Sequence, residues 1–233
     1  IGFKNGIYNY VDCEFTHEND NLSNVVVKKY IDQEFTGTMD TPLLDKVLDY
    51  QFDPEVRDFL YTCIGRMFKI RDNFEFFIFL LGEPGCGKSV ILDAISACFS
   101  DVGVFSKTFE PKYGLSYLYN KDIVVCDDLP ENFHELLGQD LFQSIVSNSK
   151  VSTAVKNGDA IQIESWKNAW ILASNYMVKY KDKGQISRRT LTWKYEKNVY
   201  EQDPTIMENI KNNELPQFIY KCTSAYKELL KQK

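Results

Sequence analysis

Phe76-Phe77-Ile78-Phe79-Leu80-Leu81-Gly82-Glu83-Pro84-Gly85-Cys86-Gly87-Lys88-Ser89 is the stretch that decides how this 233-residue chain folds. An apolar run without polar alternation predicts a strand buried on both faces. The eight residues after it, from Gly82 to Ser89, match G-x-x-x-x-G-K-[ST]. In that pattern glycines let backbone N–H groups turn inward around phosphates, a lysine reaches the β/γ oxygens and a hydroxyl holds Mg²⁺. Residues 90–99 then continue with helical apolar spacing, which places a helix N-terminus at the phosphates. Gly82, Glu83, Pro84, Gly85, Cys86, Gly87, Lys88 and Ser89 are therefore the candidate binding loop for a nucleoside triphosphate and its Mg²⁺. An α/β fold around a mostly parallel sheet follows from strand, loop and helix in that order.

Downstream, residues 102–108 suggest a short strand and 113–119 a short helix. Asp122-Ile123-Val124-Val125-Cys126-Asp127-Asp128 is an apolar strand ending in two carboxylates. After a phosphate loop, one such acid holds Mg²⁺ and its neighbour activates the attacking water, so Asp127 is the metal acid and Asp128 the water-activating one. Residues 132–148 carry the apolar spacing of one helix. Residues 151–155 and 160–163 alternate around Lys156-Asn157-Gly158-Asp159, and Asn-Gly between alternating strands predicts a hairpin. Lys156 lies beside its tip, with Lys150 and Lys167 at its bases. The apolar segment from Trp166 ends at Asn175, a neutral amide suited to orienting a water near a γ-phosphate; an asparagine there also suits a plain turn. Lys179, Lys181, Lys183 and Gly184 then form a lysine-rich loop before Gln185-Ile186-Ser187-Arg188-Arg189. Arg188 or Arg189, just ahead of a strand, is a candidate finger reaching a neighbouring subunit's nucleotide. Spacing alone does not choose between them.

Upstream, Thr41-Pro42 and Asp53-Pro54 each open a helix, with Thr41 at the cap. Residues 25–35 fit strand and helix equally, and the tail from 203 onward is helical with a break at Leu215-Pro216. The division expected is an N-terminal helical segment over 1–70, an ATPase domain over 71–200 and a C-terminal helical cap over 201–233. Hydrophobic residues make up 44% of the chain and charged residues 26%, and no apolar stretch is long enough to span a membrane. Six cysteines without a C-x-x-C pair predict neither a zinc site nor a disulfide framework. The net charge of −6 confines any nucleic-acid contact to a local patch, such as a few lysines facing the channel of a ring. The chain begins at Ile1, which suggests a segment of something longer with upstream domains.

In this order, the loop from Gly82 to Ser89, Asp127-Asp128, the Lys156 hairpin, Ile171-Leu172-Ala173-Ser174-Asn175 and Ser187-Arg188-Arg189 resemble the superfamily 3 helicases of DNA viruses. These are hexameric ATPases of the AAA+ kind. Thr41-Pro42-Leu43-Leu44-Asp45-Lys46, Ile64-Gly65-Arg66, Tyr113-Gly114-Leu115-Ser116, Trp166-Lys167-Asn168-Ala169 and Gly184-Gln185-Ile186-Ser187-Arg188-Arg189 add a resemblance to the helicase part of poxvirus-type primase-helicases. The resemblance covers roughly residues 40 to 230; residues 1–40 match nothing in it, and Pro84 and Cys86 depart from what other members often carry. It implies an AAA+ P-loop core with a hairpin insertion and helical additions at both ends. It further implies ATP hydrolysis with Mg²⁺ at subunit interfaces, a homohexameric ring and single-stranded DNA as partner. Asn175 inherits the sensor role and Lys156 the contact to the DNA backbone, with Lys150 and Lys167 as secondary contacts. An upstream primase domain and an intracellular viral replication site are implied as well. Two other functions fit the same residues: an RNA helicase of the same superfamily, and a nucleotide-gated scaffold that does not unwind. The intact Asp127-Asp128 and Asn175 argue against the scaffold, because a pure switch needs no water-activating acid.

Overall fold

Short segments pair at the start of the chain: β1 (Gly2–Phe3), β2 (Gly6–Asn9) and β3 (Glu14–His17) form a three-stranded antiparallel sheet. The structure, a computed structural model, describes residues 1–20, 22, 25–177, 184 and 186–232. Lys179, Lys181, Lys183 and Gln185 lie outside the described residues. Within the segment 1–70 this sheet precedes the expected helices. Strands of two to four residues are too short to show a period of two in the sequence. Residues 25–35 are neither strand nor helix where described. They run beside β1, bridging Gly2 to Tyr30 and bonding Ile31 N–H to Gly2 O at 2.9 Å. The helices α1 (Pro42–Gln51) and α2 (Pro54–Phe68) follow, each with proline in its first turn.

The apolar run becomes β4 (Phe77–Gly82), and α3 (Lys88–Ala97) begins at the loop lysine. Next come β5 (Val102–Val104), α4 (Gly114–Leu118) and β6 (Ile123–Cys126). The single helix expected over 132–148 is two, α5 (Phe133–Leu136) and α6 (Gln139–Val146). Leu137 leaves the helix in an extended conformation and is wholly buried, and Gly138 restarts the chain as the cap of α6. The hairpin strands are β7 (Val151–Thr153) and β8 (Ile161–Ile163), followed by β9 (Ala169–Ser174) and β10 (Thr190–Tyr195). A 3₁₀ turn over Ser187–Arg189 feeds β10.

Residues 72–88 and 101–198 cluster as one unit, and residues 1–71, 89–100 and 199–233 as another. The first of these is an α/β unit with a five-stranded sheet in the order β10-β4-β9-β6-β5, every neighbouring pair parallel. Phe77 and Phe79 of β4, Val124 and Cys126 of β6, and Trp170 and Leu172 of β9 share one apolar cluster with Phe105, Phe133 and Phe142. Ile78, Leu80, Ile123, Ile171 and Ala173, on the alternate face, are also buried. That accounts for the absence of polar alternation in the sequence. Buried Asn168 pins the start of β9: its carbonyl accepts the indole N–H of Trp166 and, at 3.1 Å, that of Trp170, while its amide donates to Leu118 O at 2.7 Å.

The other unit is completed by α7 (Ile206–Asn213) and α8 (Leu215–Lys231), with the predicted break between them. Gly65 of α2 lies so close to α8 that an added Cβ would stand 2.0 Å from the Cys222 carbonyl oxygen. The N-terminal sheet packs by aromatics: Phe35 stacks on Phe15 at 4.6 Å and on Tyr8 at 5.0 Å, and Tyr8 OH meets Thr223 Oγ1 at 2.7 Å. Thr41 occupies the cap position of α1, but its hydroxyl makes no cap bond and instead accepts from Lys221 Nζ at 2.9 Å. Buried Glu214 caps the helix in its place, accepting the N–H groups of Leu43 at 2.6 Å and Leu44 at 3.0 Å. Among the described residues no helix is long and apolar enough to cross a membrane.

Candidate functional site

Strand order assembles the site. The chain leaves β4 for the far edge at β5, returns through β6 and β9, and crosses to β10. Such a reversal opens a crevice at the carboxyl ends of the strands. Leu81 pairs with Ser174, so Gly82 at the end of β4 and Asn175 just after β9 stand side by side. Cys126 pairs with Leu172, which brings Asp127 and Asp128 out on the other side of β9. The turn after the acids is fastened there, Leu129 N–H donating to Ala173 O at 2.8 Å.

Gly85 and Gly87 have φ of 79° and 99°, left-handed conformations that glycine adopts without strain and that turn successive N–H groups toward one side. Glu83, Pro84 and Gly85 are exposed, whereas Cys86 is buried. Lys88 is only 7% exposed. Its ammonium donates to the Gly82 and Glu83 carbonyls, to Cys86 Sγ at 3.4 Å and to Asn175 Oδ1 at 3.3 Å. A lysine anchored among neutral acceptors keeps its charge available to phosphate oxygens. Ser89, the last residue of the motif, is exposed and falls in the other unit. The left-handed glycines, the lysine and the exposed carboxylate oxygens suit a Mg²⁺-bound triphosphate, since Mg²⁺ takes hard oxygen donors.

Asp127 and Asp128 are both exposed. Asp127 has no ion pair among the described residues, while Asp128 accepts from Lys107 Nζ at 3.0 Å. That hydrogen bond, then the Asp128 charge, raises the Lys107 pKa. Nothing in the sequence near Lys107 pointed to it. Burial pushes the neighbouring Cys126 thiol up to about 12, which leaves it an inert core group. A cavity of about 660 Å³, lined by Leu81, Gly82, Glu83, Asn175, Tyr176 and Met177 together with Lys194 and Tyr195 of β10 and Glu196 after it, adjoins the loop.

The two arginines, equal in sequence, differ in surroundings. Arg188 is exposed and makes no ion pair among the described residues. Arg189 is turned inward, with a side chain 12% exposed and its Nη2 on Glu75 Oε2 at 2.9 Å.

β7 and β8 pair antiparallel in register from Val151↔Ile163 to Thr153↔Ile161, and a longer loop over 154–160 replaces the two-residue turn. Asn157, at φ 59°, takes the left-handed turn position. Lys156 is exposed on this loop and Lys167 is exposed beyond the far strand. Neither is ion-paired among the described residues. Lys150 pairs with Glu164 at 2.6 Å, so its charge is offset locally.

The profile of a protein family described as "Family of unknown function (DUF5906)" matches residues 80–189, from within β4 to the last residue of the 3₁₀ turn. No curated protein matches the chain. Among solved structures, the apo C-terminal region of NrS-1 superposes with a TM-score of 0.60 at 17% identity, covering 84% of this chain and 48% of that one. A second apo form of that region, residues 305–718, gives a TM-score of 0.58 at 17% identity over 87% of this chain and 52% of that one. A JCV helicase, solved with a thiazolopyridine acetamide bound, gives 0.50 at 10% identity over 77% and 52%. This chain thus spans about half the length of each. At such identities the likeness is one of fold, and the fold is helicase-like: an α/β unit with a central parallel sheet and flanking helices.

Proposed function

We propose that this chain is the motor of a viral DNA helicase of superfamily 3, of the poxvirus-type primase-helicase kind, working as a homohexameric ring on single-stranded DNA. Lys88 carries the reading: a nearly buried phosphate-loop lysine bonded to Asn175 at the end of the adjacent strand, with two exposed acids one strand further on. ATP is the substrate, and Mg²⁺, when bound beside Asp127, supplies positive charge against the β and γ oxygens. Asp128 takes a proton from the water that attacks the γ-phosphorus, the bond to the bridging oxygen breaks, and ADP and phosphate result. Asn175 orients that water, and Lys88 offsets the charge that develops on the leaving phosphate. Asp128 first parts from Lys107, which is easy because exposed ion pairs are weak in water. The cavity beside Gly82 and Glu83 takes the part of the nucleotide beyond its phosphates.

Arg188 is the arginine assigned to a neighbouring subunit's nucleotide, since its exposed guanidinium is open to one while that of Arg189 is engaged at home. Lys156, with Lys167 next, is assigned to the DNA backbone. An upstream primase domain and an intracellular replication site complete the proposal. Lys88→Ala abolishes ATP hydrolysis in a phosphate-release assay, and full turnover in that variant ends the reading. Turnover stimulated by single-stranded DNA over RNA of the same length identifies the substrate; the reverse preference assigns an RNA helicase. Hydrolysis without strand displacement by assembled rings assigns a scaffold.

A further inference from the structure

Arg189 closes a triangle inside its own unit. Its Nε donates to Ser147 Oγ at 3.1 Å and its Nη2 to Glu75 Oε2 at 2.9 Å, while Ser147 Oγ donates to the same Glu75 oxygen at 3.0 Å. Charge-assisted bonds to a largely sheltered guanidinium are stronger and more directional than surface pairs. Three parts of the unit meet in it. Glu75 stands just before β4, the strand that enters the phosphate loop; Ser147 caps α6 on the approach to β7; and Arg189 follows Arg188 into β10. A second tie holds the hairpin stem, Ser165 Oγ donating to Asn148 Oδ1 at 2.7 Å. The stem is thereby bonded on one side to its own return and on the other to the segment that carries Arg188.

We propose that Glu75, Ser147 and Arg189 form a clamp that sets the position of the β7–β8 hairpin against the phosphate-loop strand and Arg188, so that nucleic acid held at the hairpin alters nucleotide turnover. Arg189 is then a positioning residue, and its neighbour alone reaches outward. The coupling half rests on the helicase reading; the clamp itself does not. Rigid ties between two sites transmit a bias when they hold one arrangement of both, and couplings of this kind change affinity or rate by about 5- to 150-fold.

The test uses Glu75→Gln and Ser147→Ala in the full chain, with Ser147→Thr as the variant that keeps the hydroxyl. Hydrogen exchange is followed at the amides of β7 and β8 against those of β4 and β9. ATP turnover is measured with and without oligothymidylate. The clamp predicts faster exchange confined to the hairpin, an unchanged basal rate, stimulation lowered by at least about fivefold, and recovery in Ser147→Thr. Unchanged hairpin exchange overturns the clamp, and so does acceleration spread equally over all four strands, which is the mark of a merely structural role. A loosened hairpin with intact stimulation overturns the coupling. A wild-type chain that hydrolyses ATP without responding to DNA overturns the coupling together with the DNA assignment, while the exchange arm still decides the clamp.

Discussion

Buried polar groups find partners in both units, but the charged side chains of the two are placed differently. In the unit of residues 1–71, 89–100 and 199–233, buried and half-buried polar groups close on one another. Glu214 takes two N–H groups of α1, and Asp45 accepts Lys221 Nζ at 2.8 Å and Tyr61 OH at 2.6 Å. In the unit of residues 72–88 and 101–198, Asp127, Lys156, Lys167 and Arg188 are exposed without an ion pair among the described residues. Buried polar groups must be satisfied or they cost stability. Charged groups held outward on a rigid sheet and its insertion contribute little to stability and remain open to ligands. The first unit thus spends these polar groups on its own packing, and the second holds several charges outward.

The sharpest way to break this contrast is Gly65→Ala. Alanine gains about 1 kcal/mol of helix propensity over glycine, but its Cβ would meet the Cys222 carbonyl at 2.0 Å, a backbone atom that cannot rotate away. Overpacking of this severity costs about 3 kcal/mol, so urea denaturation should show a clear net loss of stability. A neutral or stabilised variant would mean that α2 and α8 part easily. Acid titration gives a smaller effect. Burial acts to raise the Asp45 pKa, yet the Lys221 and Tyr61 hydrogen bonds, with the Lys221 and Arg57 charges, outweigh it and hold the carboxyl below its usual value. A depressed folded pKa adds stability that is complete above the unfolded value of about 3.9 and is lost as pH falls through the folded one. Asp45→Asn should flatten that acid limb in urea midpoints taken against pH. An equally steep limb in the variant would place the sensitive carboxylate elsewhere. Smallest of all is the stability change from Lys156→Ala, within about 0.5 kcal/mol. The same variant should weaken binding of single-stranded DNA while leaving nucleotide affinity nearly intact. Unchanged DNA affinity in a ring-forming variant removes Lys156 from the interface.

What the sequence revealed followed the range of each interaction. β4, the glycine loop and α3 were legible because their residues are consecutive and each type has one chemical reason to be there. The strand ends at Asp127 and Asn175 were legible as positions, but their placement on either side of one another required the order β10-β4-β9-β6-β5, which no local pattern encodes. The break at Leu137-Gly138 was hidden because Leu137 keeps the apolar spacing of a helix while its backbone is extended. Glu75, Ser147 and Arg189 are separated by 72, 42 and 114 positions pairwise, so their association arises only from the fold. Thr41 was read correctly as the cap position of α1, but the carboxylate that satisfies its first N–H groups comes from Glu214, 171 positions away from Leu43. The N-terminal sheet escaped notice because its strands are short and its packing rests on Phe35 and Tyr8, residues far apart in sequence.

The α2–α8 contact and the Tyr8–Thr223 bond also bear on the order of events as the chain leaves the ribosome. Residues 1–71 emerge well before the helix against which Gly65 and Tyr8 pack, Leu215–Lys231. The early segment must wait with its aromatics uncovered while the residues of the parallel sheet are synthesised and free to pair. Nascent chains stalled before α8 should therefore be cut by protease within residues 1–71 and protected around β4 and β9.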